Sequence, residues 1–147
     1  MKRKIALTSD HAGFYIKEKI KKFLMDSGHE IKDFGCFSEE SVDYPDYAHA
    51  AASAVEAGEY EIGFSVCGSG NGINMTANKY PGIRSALCWN EEICRLARAH
   101  NNANMCSLPG RFISEAEAIL LVRTFLDTGF DGGRHKRRID KIPLKRI

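Results

Sequence analysis

The chain has 147 residues, 44% hydrophobic and 27% charged, the balance of an ordinary globular protein long enough to bury one core. Its net charge of +2 is too small to argue for nucleic acid across the whole surface, since the basic excess is confined to GGRHKRRIDKIPLKRI at the C-terminus. The opening MKRKIALTSDH has a short apolar run interrupted by Asp10, and no segment is long enough to span a bilayer, so neither a secretory signal nor a membrane partner is expected.

Short apolar runs alternate with longer helical patterns. Lys4–Ser9 reads as a buried strand, and the helix after it keeps Phe14, Ile20, Phe23 and Leu24 on one side, with lysines opposite, until Gly28 stops it. HEIKDF is a second strand. Asp46–Gly58 is an alanine-rich helix with an Asp cap and a Gly stop. EIGFSV is a third strand and Ile83–Cys88 a fourth. The helix NEEICRLARAH takes Asn90 as its N-cap and has acids in its first turn. NMCSL is a fifth strand, and Ser114–Gly129 a closing helix.

Strands alternating with helices predict an α/β fold: one domain over residues 1–147, with a five-stranded parallel sheet covered on both faces. This is a Rossmann-like three-layer arrangement followed by a basic helical tail. Ligands of such sheets bind outside the carboxyl ends of the strands. Two strand ends carry reactive groups there, Asp10-His11 after the first and Cys67 at the third. The five cysteines are odd in number and include no CxxC pair, which favours reduced cytoplasmic thiols over a disulfide framework or a zinc site. Cys36, Cys88, Cys94 and Cys106 read as filler.

Cys67 opens the loop CGSGNG, with Gly68, Gly70 and Gly72. Successive backbone N–H groups in such a loop make a concave anion site; the plainer reading is a tight strand-to-helix turn. A dinucleotide fingerprint counted from Gly68 needs glycine at Ile73, and a Walker loop needs a lysine that is missing. A cysteine-phosphatase loop would need arginine at the position of Ile73. Proton abstraction beside a carbonyl suits the loop better, because it needs a base next to donors that hold an enediolate oxygen.

SDHAG, DYPDYA, CGSGNGI, ANKYPGIRSALC, HNNANM and GGRHKRRI, in that order across the whole chain, resemble the type B ribose-5-phosphate isomerases and the wider family containing galactose-6-phosphate isomerase. The resemblance implies an aldose–ketose isomerase working through an enediolate without metal or cofactor. It implies Cys67 as the base, with the backbone of Gly68, Ser69, Gly70, Asn71 and Gly72 holding the enediolate oxygen and the Ser69 hydroxyl in support. Asp10 would bind sugar hydroxyls or relay a proton, and His100, with Asn101 beside it, would open the furanose ring. His11, Arg134 and Arg138 resemble phosphate ligands, with Arg111 also in the pocket. Some relatives carry a glutamate base just after the loop; that position here is Ile73.

Each of these residues also has a plainer use. Asp10 is a suitable helix cap, His100 a favoured helix C-terminal residue, and Arg111 a surface charge. The basic tail suits a solvated face or nucleic acid, but Arg134 and Arg138 are four apart, suited to gripping one phosphate, and lack an aromatic platform. Tyr44 and Tyr47 read as packing. Helices returning between parallel strands end at the opposite edge, so His100 and the tail should lie far from Cys67 within one chain. A cytoplasmic homodimer with shared sites, a tetramer left open, follows, its tail from about residue 130 packing on the partner. The rival functions are isomerisation of galactose or allose 6-phosphate, a non-catalytic phosphate- or nucleotide-binding module, and nucleic-acid binding through the tail.

Overall fold

The structure, a computed structural model, describes residues 1–145; the last two residues of the predicted tail, 146 and 147, lie outside the described residues. Five strands are β1 (Lys4–Ser9), β2 (Glu30–Asp33), β3 (Ile62–Cys67), β4 (Ser85–Leu87) and β5 (Met105–Pro109). Six α-helices are α1 (Phe14–Asp26), α2 (Tyr44–Glu56), α3 (Asn71–Ala77), α4 (Glu91–Ala99), α5 (Glu115–Asp127) and α6 (Arg134–Ile139). A 3-10 turn, His11–Gly13, joins β1 to α1. All strand pairs are parallel, in the order β2-β1-β3-β5-β4. The order reverses between β1 and β3, so the crevice at their carboxyl ends is the topological switch point.

The core has two halves because successive strand residues face opposite sides of the sheet. On one face Ile5, Leu7, Phe64, Val66 and Leu108 pack against α1, α4 and α5 through Ile20, Leu24, Leu121 and Phe125. On the other, Ala6 and Met105 meet Ala51, Ala52 and Val55 of α2 and Ala77 of α3. The alanines of α2 let it lie close. β3 and β5 are buried along their whole length, as expected of strands covered on both faces. No described helix is long and apolar enough to cross a membrane.

Several predicted boundaries shift for local reasons. The second helix begins at Tyr44, with Asp43 preceding it and Pro45 in its first turn, so Asp46 is a first-turn acid rather than the cap. β4 is three residues long. Asn90 caps α4 through the Ile93 N–H, and Ser114 and Glu117 form a capping box on α5. One lysine of α1 departs from the predicted polar face: Lys17 is fully buried and bonds both oxygens of Asp33, at 2.7 and 2.8 Å.

Candidate active site

The pairing of β1 with β3 runs to Ser9 opposite Val66, and the Asp10 N–H donates to the Val66 carbonyl at 3.2 Å. Continuing that register puts Asp10 beside Cys67, both on the α2/α3 face, on neighbouring strands roughly 4.8 Å apart. Cys67 is 5% exposed and packs against Ala48 of α2 and Ile73 of α3. Asp10 does serve as a cap: its Oδ1 accepts from the Gly13 N–H at 3.1 Å. It also lines a cleft of about 490 Å³ with Val42, Asp43, Tyr44, Pro45 and Asp46. His11 Nδ1 accepts from the Val42 N–H at 3.2 Å, which leaves Nε2 as the ring's free position.

The loop after Cys67 turns at once into α3, with Gly70 in the left-handed region at φ 79°. The Ser69 hydroxyl accepts from the Asn71 N–H at 3.2 Å. Among the described residues, the N–H groups of Gly68, Ser69, Gly70 and Gly72 have no protein acceptor. Unpaired backbone donors gathered in one loop can act as anion ligands. Arg111 joins the loop, its N–H donating to the Gly68 carbonyl at 3.0 Å, and a methyl added at Gly68 would stand 3.3 Å from Arg111 Nη1.

The remaining predicted site residues gather at the other edge of the sheet. His100 ends α4, and the Asn101 carbonyl accepts from Arg84 Nε just before β4, at the amino ends of the strands. The His100 ring stacks on His135 of α6, with centroids 4.2 Å apart and planes 11° apart. Its Nε2 lies 3.9 Å from Asp131 Oδ2. Loss of water, with His100, Arg134 and Arg138 adding repulsion, holds His135 below the usual histidine range. Arg134 and Arg138 are exposed on α6.

A family model described as Ribose/Galactose Isomerase matches residues 5–142 of the chain. The chain belongs to the ribose/galactose isomerase family. Membership makes it an isomerase. It is 39% identical over 140 residues to the ribose-5-phosphate isomerase B of Escherichia coli K12, covering 95% of this chain and 94% of the relative. The crystal structure of a ribose 5-phosphate isomerase from Thermotoga maritima matches with a TM-score of 0.94 at 52% identity, covering 96% of this chain and 97% of that one. Ribose-5-phosphate isomerase B from Mycoplasma genitalium, solved with bound ribulose-5-phosphate, matches with a TM-score of 0.91 at 40% identity, covering 95% and 93%.

Within this isomerase the structure brings together Asp10, His11, Cys67, the loop Gly68–Gly72 and Arg111. His100, Asn101, Arg134 and Arg138 are not part of that group in the single chain. Tyr44, a packing residue by sequence, lines the cleft, and its ring lies against Gly72, where an added methyl would clash with Tyr44 Cε1. The DYPDYA motif was the available signal. Cys88, Cys94 and Cys106 do fill the core, as read from sequence, and strand pairing and α4 also bring their sulfurs together.

Proposed function

We propose that this isomerase interconverts ribose 5-phosphate and ribulose 5-phosphate through an enediolate. In this reading the Cys67 thiolate removes the proton from C2 of the open-chain aldose and the same proton is delivered to C1. Free N–H groups of Gly68, Ser69, Gly70 and Gly72, with Asn71 shaping the turn, hold the oxygen on which charge develops. The single observation that carries the reading is this row of unpaired donors directly after a thiol that stands beside a carboxylate. Ile73, fully buried against Cys67, offers no acid or base of its own, which supports the thiol in that role.

Asp10 keeps one oxygen on Gly13 and uses the other to move a proton between the sugar oxygens. His11 Nε2–H and the guanidinium of Arg111 suit the phosphate or the far hydroxyls. His100, Asn101, Arg134 and Arg138 complete the site from a second subunit, His100 opening the ring and the arginines taking the phosphate dianion, with the tail packed on the partner. Five free cysteines support a reducing cytoplasm as the place of reaction.

The test is ribulose 5-phosphate formation from ribose 5-phosphate by wild type and Cys67→Ala, each checked for fold by circular dichroism. We expect turnover in the wild type and a loss of at least about a hundredfold in the variant, the usual scale for a general base. Equal activity in both removes Cys67 as the base. Faster turnover of galactose or allose 6-phosphate than of ribose 5-phosphate replaces the substrate. Inactivity on all three leaves the fold without the proposed chemistry.

A further inference from the structure

Three cysteines that the proposed chemistry does not use meet in the interior. Cys88 follows β4, Cys106 lies in β5 and Cys94 in α4, and their sulfurs all fall within 4.8 Å of one another. Ala86 pairs with Cys106, so Cys88, two residues on, points to the same face of the sheet. That face is covered by α4 and α5. All three side chains are fully buried, in the apolar core that holds Leu108, Ala97, Leu121 and Val122. Cys94 Sγ donates to the Leu121 carbonyl at 3.3 Å, and Cys88 Sγ lies 3.7 Å from the Ala86 carbonyl. Among the described residues, no lysine or arginine hydrogen-bonds to any of the three sulfurs.

With no lysine or arginine bonded to them among the described residues, the sulfurs do not suit every ion equally. Three thiolates around a monovalent or divalent metal carry net negative charge, and an unpaired charge in an apolar core is strongly disfavoured. A trivalent centre with three thiolates is neutral. Bonds of about 2.3 Å, the length of a metal–thiolate bond, at a pyramidal centre set sulfurs about 3.5 Å apart. The three sulfurs already lie within 4.8 Å of one another, near that spacing.

We propose that Cys88, Cys94 and Cys106 form a buried binding site for a trivalent thiophilic metalloid of the arsenic(III) class. As(OH)₃ reacts with three thiols to give As(SR)₃ and three waters. Three As–S bonds form and three As–O bonds break. Each thiol proton leaves on a departing hydroxyl, and no atom changes oxidation state. The way in is the sheet edge, because β4 is three residues long and pairs only with β5. Binding therefore waits on local opening of that edge and is slow.

The experiment incubates the reduced full-length protein with arsenite, removes the excess under native conditions, and measures bound arsenic and melting temperature. The expected result is one arsenic per chain and a raised melting temperature, because the native state is the one that binds. X-ray absorption at the arsenic edge should show three sulfur neighbours. Cys67→Ala should retain the metalloid, and Cys94→Ala and Cys106→Ala should each lose it. The proposal fails if wild type retains no arsenic, if Cys94→Ala retains as much as wild type, or if Cys67→Ala loses it. It also fails if arsenic lowers the melting temperature, since the unfolded chain would then be the binding species. The absorption spectrum is read on the wild type alone, so a poorly folded variant does not protect the idea. Two sulfurs and an oxygen around arsenic would overturn it.

Discussion

At Gly13 the 3-10 turn runs so close to β3 that a Cβ would stand 2.2 Å from the Val66 carbonyl oxygen. That oxygen belongs to backbone, which has no rotamer to turn away. Gly13→Ala should therefore force the turn off the sheet, destabilise the fold by about 1–3 kcal/mol as other overpacked sites do, and move the N–H that holds Asp10. Urea unfolding measures the first effect, and a fall in kcat measures the second; an alanine variant as stable and active as wild type would contradict both. The placement of Asp10 and Cys67 at one sheet edge was legible in sequence, because each stands at the end of an apolar run where parallel strands place ligands. Tyr44 was not, since its contact with Gly72 joins α2 to α3 through space. An aromatic beside a proline carries no local sign of what lies opposite.

Helix α1 shows how an element can be read correctly in outline and misread at one position. Lys17 stands three residues before Ile20 and seven before Leu24, which is the apolar spacing itself, so periodicity alone put it on the buried face. A lysine is kept there by its partners: Asp33 at the end of β2, the Cys36 carbonyl at 2.6 Å, and the rings of Phe14 and Phe37 at 5.4 and 5.2 Å. Asp33→Asn should cost about 3 kcal/mol, the low end for a broken buried pair, because it leaves the buried ammonium only the half-exposed Glu18 carboxylate, 3.7 Å away, as counter-charge. Adding Lys17→Met should recover much of the loss, and denaturant melts of the single and double variants decide whether it does. The pair also sets a pH dependence. Burial pushes the Asp33 carboxyl up, but hydrogen bonds from Lys17, the Gly35 N–H and Lys21 outweigh it and leave the carboxyl below its ordinary 3.8. Between that lowered folded value and 3.8 the unfolded chain binds more protons than the folded one. The contribution of the pair is therefore fully present above pH 3.8 and is lost as the pH falls through the folded value. Wild type should lose stability in that acid window more steeply than the Asp33→Asn, Lys17→Met double variant.

The residues proposed for the chemistry lie at two edges of one sheet. Cys67, Asp10 and the glycine loop lie at the carboxyl ends of the strands, and His100, Asn101 and α6 at the amino ends. Alternation of strands and helices made this separation readable from sequence, because a helix returning to start the next parallel strand ends at the far edge. Which surface of a second copy meets the cleft is set by shape across an interface, and no periodicity in one chain encodes it. The shared-site reading has a test that needs no interface geometry. Cys67→Ala and His100→Ala are each expected to be severely impaired as pure proteins. If each site takes Cys67 from one subunit and His100 from the other, a mixed dimer puts both lesions in one site and leaves the second site intact. Dissociating and reassociating equal amounts of the two variants should then restore about a quarter of wild-type activity, since half the dimers are mixed and half of their sites are whole. If Cys67 and His100 act within the same subunit, every site in the mixed dimer carries one lesion and no activity returns. Recovery scaling with the mixed-dimer fraction, resolved by a charge tag on one variant, separates reconstitution from residual activity of either parent.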